Sequence, residues 1–211
     1  MSPHPLTLPN LEQQLGYLAK SKYFIKTDVM SGFDFLRTDE SAWDIFVIST
    51  PLGAFCCLGS PQGWCNTPAL YQNRIVNQIL RPLGIFAMLN NGVVQWIDDS
   101  LIHSSTIEGL LETFEKFVEQ VEKMGVRLSL DKCTLFATVI EYCGRVVQDG
   151  KWNFSEEMYD KILKVGRPSN ELEMAKICWV LAWLSPALPN AAAMREQLTR
   201  GLDLTGKASV I

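Results

Sequence analysis

Apolar residues recur along this chain with two different periods, and the switches between them mark its elements. In NLEQQLGYLAK, Leu11, Leu15 and Leu18 share one helical face, which predicts a helix. KYFIKTDV follows as a strand, and DIFVIST and GAFCCLG flank Pro51-Leu52 as a hairpin. GSPQGWCNTP is dense in turn formers. It leads into ALYQNRIVNQILRPL, a helix that Thr67 can cap and Pro68 can open. GVVQWI and SLIH are short strands on either side of Asp98-Asp99. TIEGLLETFEKFVEQVEKMG is an amphipathic helix with Thr106 as cap and Gly125 as stop. VIEYCGRVVQDGKWNF reads as strand, Asp-Gly turn, strand. Beyond Phe154 the pattern turns wholly helical: SEEMYDKILKVG, NELEMAKICWVLAWL and NAAAMREQLTRGL, broken by Pro168, Pro186 and Pro189. These elements predict an α+β fold with an antiparallel sheet packed on helices in residues 1–154, then a small helical segment in 155–211.

Composition narrows the picture. The 211 residues are 47% hydrophobic, enough to bury a core, and the formal net charge is -4. That charge lacks the basic footprint of most nucleic-acid binders. None of the six cysteines has a C-x-x-C spacing, and MSPHPLTLPN is no signal peptide, so they read as reduced thiols of an intracellular protein, cytoplasmic or nuclear and not secreted. The apolar run ICWVLAWL is far short of the ~20 residues a membrane span needs, so no membrane association is expected. Trp179 and Trp183, four apart on one helix face, read as core packing. The pattern sets no oligomeric state.

The candidate chemistry starts at Asp98-Asp99, two carboxylates inside the apolar run GVVQWIDDSLIH. Alone, the pair reads as a hairpin tip, because Asp favours turns. Asp28 at a strand end reads alone as a turn former, Phe33 as core, Gln62 and Gly63 as loop, and Lys132 as a solvated cation. Their order along the chain changes this. YFIKTDVMSGF, SPQGWCNTPALYQ, WIDD, LSLDKC and EYCGRVV occur in succession. Together they resemble the palm of a reverse transcriptase, in particular the polymerases of gypsy-type long-terminal-repeat retrotransposons. The resemblance runs from about Leu8 to the end of the chain.

That resemblance implies a polymerase palm, an RNA-directed DNA polymerase activity and a set of roles. Two Mg²⁺ ions, with Mn²⁺ as a substitute, would be held by Asp28, Asp98, the backbone carbonyl of Val29 and Asp99. Asp99 ranks below the other two acids because successive strand residues point to opposite faces. Two-metal phosphoryl transfer needs such acids brought together from separate strands. Phe33 would be the gate that excludes a 2′-hydroxyl, Gln62 would touch the incoming nucleotide, and Gly63 would let the backbone approach it. Lys132 would lie by the triphosphate and protonate the leaving pyrophosphate. Cys143, Gly144 and Arg145 would hold the primer end. The partners implied are an RNA or DNA template with a DNA primer, and deoxynucleoside triphosphates.

Some features depart from the family. It places several tens of residues of fingers before the first catalytic strand, and here only about twenty precede it. The expectation is therefore a palm and the start of a thumb without fingers. Ser60 stands where an apolar residue is common, and Trp96 where a tyrosine is common. The competing expectation is a catalytically inactive, truncated or co-opted remnant that acts, if at all, as a binding module.

Overall fold

The computed structural model describes residues 9–166, 168–185 and 190–199. Pro186, Pro189 and the last residues of the third helical pattern lie outside them. The chain divides into two compact units, Met1–Asn153 and Phe154–Ile211, one residue before the boundary drawn from the sequence.

The first unit is built on a four-stranded antiparallel sheet. Its strands are β1 (Tyr23–Asp28), β4 (Asn91–Trp96), β5 (Asp99–Ser104) and β6 (Thr134–Ala137), in the order β4-β5-β1-β6. A two-stranded hairpin, β2 (Val47–Thr50) and β3 (Gly53–Cys56), stands apart from it. A three-stranded sheet joins β7 (Val139–Tyr142), β8 (Arg145–Gln148) and β9 (Lys151–Phe154). The helices of this unit are α1 (Leu11–Tyr17), α2 (Thr67–Ile75, extended by a π-helical turn Val76–Leu80) and α3 (Ile107–Lys123).

The central sheet is buried on both faces, which explains its continuous apolar runs. Neighbouring strand residues point to opposite sides. Ile25, Val93 and Ile102 pack with Ile75 and Ile79 after α2 begins, and with Leu110 and Phe117 of α3. Phe24, Val94 and Leu101 pack on the other side with Leu15 of α1, Leu18, and Ile140, Tyr142 and Val147 of the hairpin sheet. The pairs Phe24-Ile25, Val93-Val94 and Leu101-Ile102 therefore each serve two cores. Asp28 and Asp99 lie at the end of β1 and the start of β5, where both cores stop.

Local choices depart from the sequence reading at three places. Thr67 is the first residue of α2, and Asn66 holds the cap position. The Thr67 hydroxyl instead donates to the Pro61 carbonyl (3.1 Å) and meets the Ser60 hydroxyl at 2.7 Å. This explains Ser60: a polar residue at 3% exposure is satisfied by a threonine partner. VIEYCGRVVQDGKWNF forms three strands, because Cys143-Gly144 turns as well as Asp149-Gly150. All four turn residues have positive φ (50°, 72°, 47° and 70°), the backbone that two-residue hairpin loops demand. The Asp98-Asp99 tip shifts by one residue and is taken up below. Thr106 caps α3, accepting from the Gly109 N–H at 3.1 Å, and Gly125 (φ 69°) follows its end.

The second unit contains α4 (Glu156–Leu163), α5 (Glu171–Leu184) and α6 (Ala191–Thr199). Trp183 packs on Phe154 with ring centroids 5.1 Å apart, as core packing requires. Trp179 does not: it is 75% exposed, because Cys178 and Leu184 are the residues of α5 that turn inward.

His103, fully buried on β5, has its Nδ1 2.8 Å from the Ser21 hydroxyl. Its Nε2 meets no partner among the described residues. Burial pushes its pKa down to about 4, against about 6.5 in an unfolded chain. Between those values the unfolded chain binds the extra proton, so stability falls as pH drops from about 6.5 to 4. Urea denaturation of the parent and His103→Leu across that window checks this. The parent should lose more stability than the variant between pH 6.5 and pH 4.5, and parallel curves would contradict it.

Candidate active site

β1 ends on Asp28 because the chain there leaves the sheet for a second clasp. The Met30 N–H donates to the Arg127 carbonyl (2.8 Å), and the Ser129 N–H donates to the Asp28 carbonyl (2.9 Å). Val29 and Leu128 form the bridge between them. The Val29 carbonyl stays outside that clasp. The same clasp delivers the 3-10 turn Leu130–Lys132, and Lys132 Nζ lies 3.5 Å from Asp28 Oδ1.

The β4–β5 hairpin turns on Ile97 and Asp98, with Trp96 paired to Asp99. Asp99 is thus a strand residue, not half of the tip. In the ladder it stands directly opposite Asp28. Asp28, Asp99 and, on the turn, Asp98 gather at one end of the sheet. Opposed residues of paired strands share a face, so Asp99 stands on the same side of the sheet as Asp28. Its carboxylate is held by Lys26 Nζ at 3.2 Å.

Ile97 has φ 49°, a conformation that a β-branched side chain rarely adopts. A buried set of glutamines over-determines it. The Ile97 N–H donates to Gln72 Oε1 (2.7 Å), and Gln95 Nε2 donates to the Ile97 carbonyl (2.6 Å). The Gln95 carbonyl accepts from Gln14 Nε2 (2.8 Å) and Gln72 Nε2 (3.3 Å). The Tyr142 hydroxyl donates to Gln14 Oε1 (2.8 Å), and the Ser100 hydroxyl donates to Gln95 Oε1. Three glutamines from α1, α2 and β4 therefore grip one turn. All are at most 3% exposed.

The acids feel one another. Burial raises the Asp98 pKa above the usual carboxylate value, and the charges of Asp28 and then Asp99 raise it further, while Lys132 opposes them. Cys143, on the hairpin turn, is pushed up to about 12, mainly by burial and then by Asp99. The Cys143 thiol therefore lies within the field of Asp99.

The other expected residues divide. Phe33 sits in the 3-10 turn Gly32–Phe35, one turn beyond Asp28, with its ring 5.6 Å from that of Tyr71. Gln62 and Gly63 form an exposed tight turn closed by the Trp64 N–H on the Pro61 carbonyl (3.4 Å). Gly63 takes φ 90°, which requires glycine. Among the described residues no hydrogen bond or ion pair joins this turn to the acids. Cys143 and Gly144 form the hairpin turn. Arg145 is 1% exposed, its guanidinium lies 5.2 Å from the Trp152 ring centre, and it donates to the Cys143 carbonyl at 3.4 Å, a contact that supports the turn.

Sequence reasoning missed Gln14, Gln72, Gln95, Lys26 and Tyr71. The available signal was polar residues at positions the periodicity assigns to buried faces, such as Gln95 within GVVQWI. It also missed a local basic cluster. A cavity of about 520 Å³ opens beside Val29 and Ser31, and its lining includes Arg37, Arg74 and Arg127. The Arg74 guanidinium lies 4.8 Å from the Phe35 ring centre. Positive charge is concentrated here in a chain that is acidic as a whole.

Hard cations take carboxylate and carbonyl oxygens and keep several waters. Asp28, Asp98 and Asp99 supply such oxygens, and the mutual repulsion registered at Asp98 is what a cation would relieve. Among the described residues no group of three or more His, Cys, Asp or Glu is arranged to hold a metal ion by itself.

An antiparallel sheet that carries acids at the end of β1 and on the β4–β5 hairpin, with α2 and α3 on one face and α1 with the hairpin sheet on the other, is a polymerase palm. The chain aligns with the foamy viral protease-reverse transcriptase dRH in complex with double-stranded DNA, at TM-score 0.80 and 20% identity. That match covers 98% of this chain and 35% of that one. It aligns likewise with the foamy viral protease-reverse transcriptase in complex with an RNA/DNA hybrid, at TM-score 0.76 and 20% identity, over 98% and 27%. These likenesses establish the fold. Residues 2–147 match the family "Reverse transcriptase (RNA-dependent DNA polymerase)", and the chain belongs to that family. It is 26% identical over 197 residues to the retrovirus-related Pol polyprotein from transposon 297 of Drosophila melanogaster, covering 93% of this chain and 18% of that protein. It is 25% identical over 198 residues to a putative enzymatic polyprotein of Cassava vein mosaic virus, covering 93% and 29%. The chain thus spans under a third of these relatives. The expected likeness to retrotransposon polymerases is borne out.

Gln72→Leu keeps the helix and the approximate volume but removes the acceptor for the Ile97 N–H. It should cost about 1–3 kcal/mol of stability, measured by urea denaturation. A cost no larger than that of an exposed substitution such as Gln78→Leu would contradict this role.

Proposed function

We propose that this chain is the polymerase core of a reverse transcriptase, adding deoxynucleotides to the 3′-hydroxyl of a DNA primer paired to an RNA or DNA template. The observation that carries the reading is the register that sets Asp28 opposite Asp99, with Asp98 on the adjoining turn. Asp28 and Asp98 would be the principal Mg²⁺ or Mn²⁺ ligands, aided by the Val29 carbonyl and by Asp99. Such ions, when bound, would supply charge stabilisation for the attacking oxygen and the leaving pyrophosphate.

The chain's own groups then divide the remaining work. Lys132, 3.5 Å from Asp28, would meet the triphosphate and give a proton to the departing pyrophosphate. The arginine-lined cavity next to Val29 favours the same anionic end of the nucleotide. Phe33 closes the sugar side, and Gln62 with Gly63 offers an exposed polar turn to the nucleotide. The Cys143-Gly144 turn, whose thiol lies in the field of Asp99, would present backbone to the primer end. Residues 155–211 would be the start of a thumb. The six cysteines are all free thiols, which supports an intracellular setting, cytoplasmic or nuclear. No helix among the described residues is long and apolar enough to cross a membrane.

Primer extension on poly(rA)–oligo(dT) with Mg²⁺ tests this, using the chain alone and the chain fused to a donor fingers region. The fused form should extend the primer, and Asp98→Asn should reduce extension by roughly two to three orders of magnitude. A folded, fused protein that binds template-primer without extending it would favour the co-opted binding module instead.

A further inference from the structure

The hydroxyl of Tyr71 is buried and meets no hydrogen-bond partner among the described residues. Native cores seldom leave such a group unpaired, and a phenylalanine would fill nearly the same volume without that penalty. The group also lies in the field of the acids: burial raises its pKa, and the charges of Asp98 and Asp28 raise it further. Tyr71 therefore sits beneath the catalytic end of the sheet, reaching it from α2.

Its neighbours show what it supports. Its ring meets the Phe33 ring edge-on, with centroids 5.6 Å apart and planes at 79°. Its Cε2, Cζ and hydroxyl fill the space under Gly32: a Cβ on that glycine would come within 2.8 to 2.9 Å of those three atoms. Gly32 and Phe33 open the 3-10 turn that follows Ser31, whose φ is 49°. One face of one tyrosine thus contacts both residues that determine where the Phe33 ring stands. Phe33 itself is partly buried and packs at the margin of the core that contains Tyr71.

We infer that Tyr71 is a positioning residue for sugar selection: its ring is the pedestal that holds Phe33 at the height where it excludes a 2′-hydroxyl. This rests on the reading of Phe33 as the gate. It adds a residue that touches neither the sugar nor the metals and acts through Phe33. Loss of the pedestal ring lets the gate sink and admits ribonucleotides. Loss of the hydroxyl alone leaves the edge-on contact in place.

The test is calorimetric binding of dATP and ATP to the full chain with Ca²⁺, a readout that needs no turnover. The parent should bind dATP more tightly than ATP, and Phe33→Val should narrow that ratio. Tyr71→Leu should narrow it by about fivefold, whereas Tyr71→Phe should keep it within about twofold of the parent. Gly32→Ala is an independent arm, because its Cβ presses on the Tyr71 ring; it should narrow the ratio too. Leu110→Ala, in the same core on α3, controls for general loosening and should leave the ratio unchanged. If Tyr71→Leu fails to fold, the Gly32→Ala arm decides. An unchanged ratio in the folded pedestal variants, or equal narrowing in Leu110→Ala, overturns the inference while leaving the gate intact. A parent that does not distinguish dATP from ATP overturns the gate and the pedestal together.

Discussion

Like-charge repulsion at one end of an antiparallel sheet is the constraint around which the first unit is organised. Carboxylates placed directly opposite one another on paired strands destabilise the sheet. Here Asp28 faces Asp99, and Asp98 stands on the turn beside them. Lys26 binds Asp99 and Lys132 binds Asp28, so each member of the opposed pair carries a cation. Asp98 has none as close among the described residues, and burial first, then the charges of Asp28 and Asp99, raise its pKa. The arrangement lowers the cost of assembling the acids without neutralising them, which is the state in which a divalent cation finds its ligands.

Backbone strain is the second cost, and it is offset by polar burial. Ile97 at positive φ would relax in an isolated hairpin. Gln72, Gln95 and Gln14 leave its peptide groups no better partner, and each glutamine is itself satisfied within the buried network. A polar network of this kind stabilises only when complete. It also joins α1, α2, β4 and the Tyr142 end of the hairpin sheet to one turn. The Ile97-Asp98 turn and the hairpin that ends at Tyr142 are thus connected by side chains.

The fold was legible where periodicity was strong and turn residues were distinctive. The α3 helix, both strands around the acids, and the Asp149-Gly150 turn all followed from the pattern. The exact tip was not legible, because Asp98-Asp99 reads as a turn-forming pair whereas hairpin pairing places the turn at Ile97-Asp98. The Cys143-Gly144 turn was missed as a strand break because cysteine carries no turn signal. Arg145 entered only as part of the primer-holding set that the resemblance implies, and its burial beside Trp152 depends on a cross-hairpin contact that spacing cannot reveal. Gln14, Gln72 and Gln95 come from three separate elements, so their convergence exists only in three dimensions. Lys26 and Asp99 meet diagonally across a ladder whose register had to be seen.

The central claim is that Asp28 and Asp98 converge on one cation site. Electron paramagnetic resonance titration with Mn²⁺ measures this directly on the full chain, without nucleic acid or turnover. The parent should bind Mn²⁺ in competition with Mg²⁺, and Asp28→Asn or Asp98→Asn should each weaken that binding, with the double variant little worse than either. Equal Mn²⁺ binding by the parent and the double variant would contradict the account.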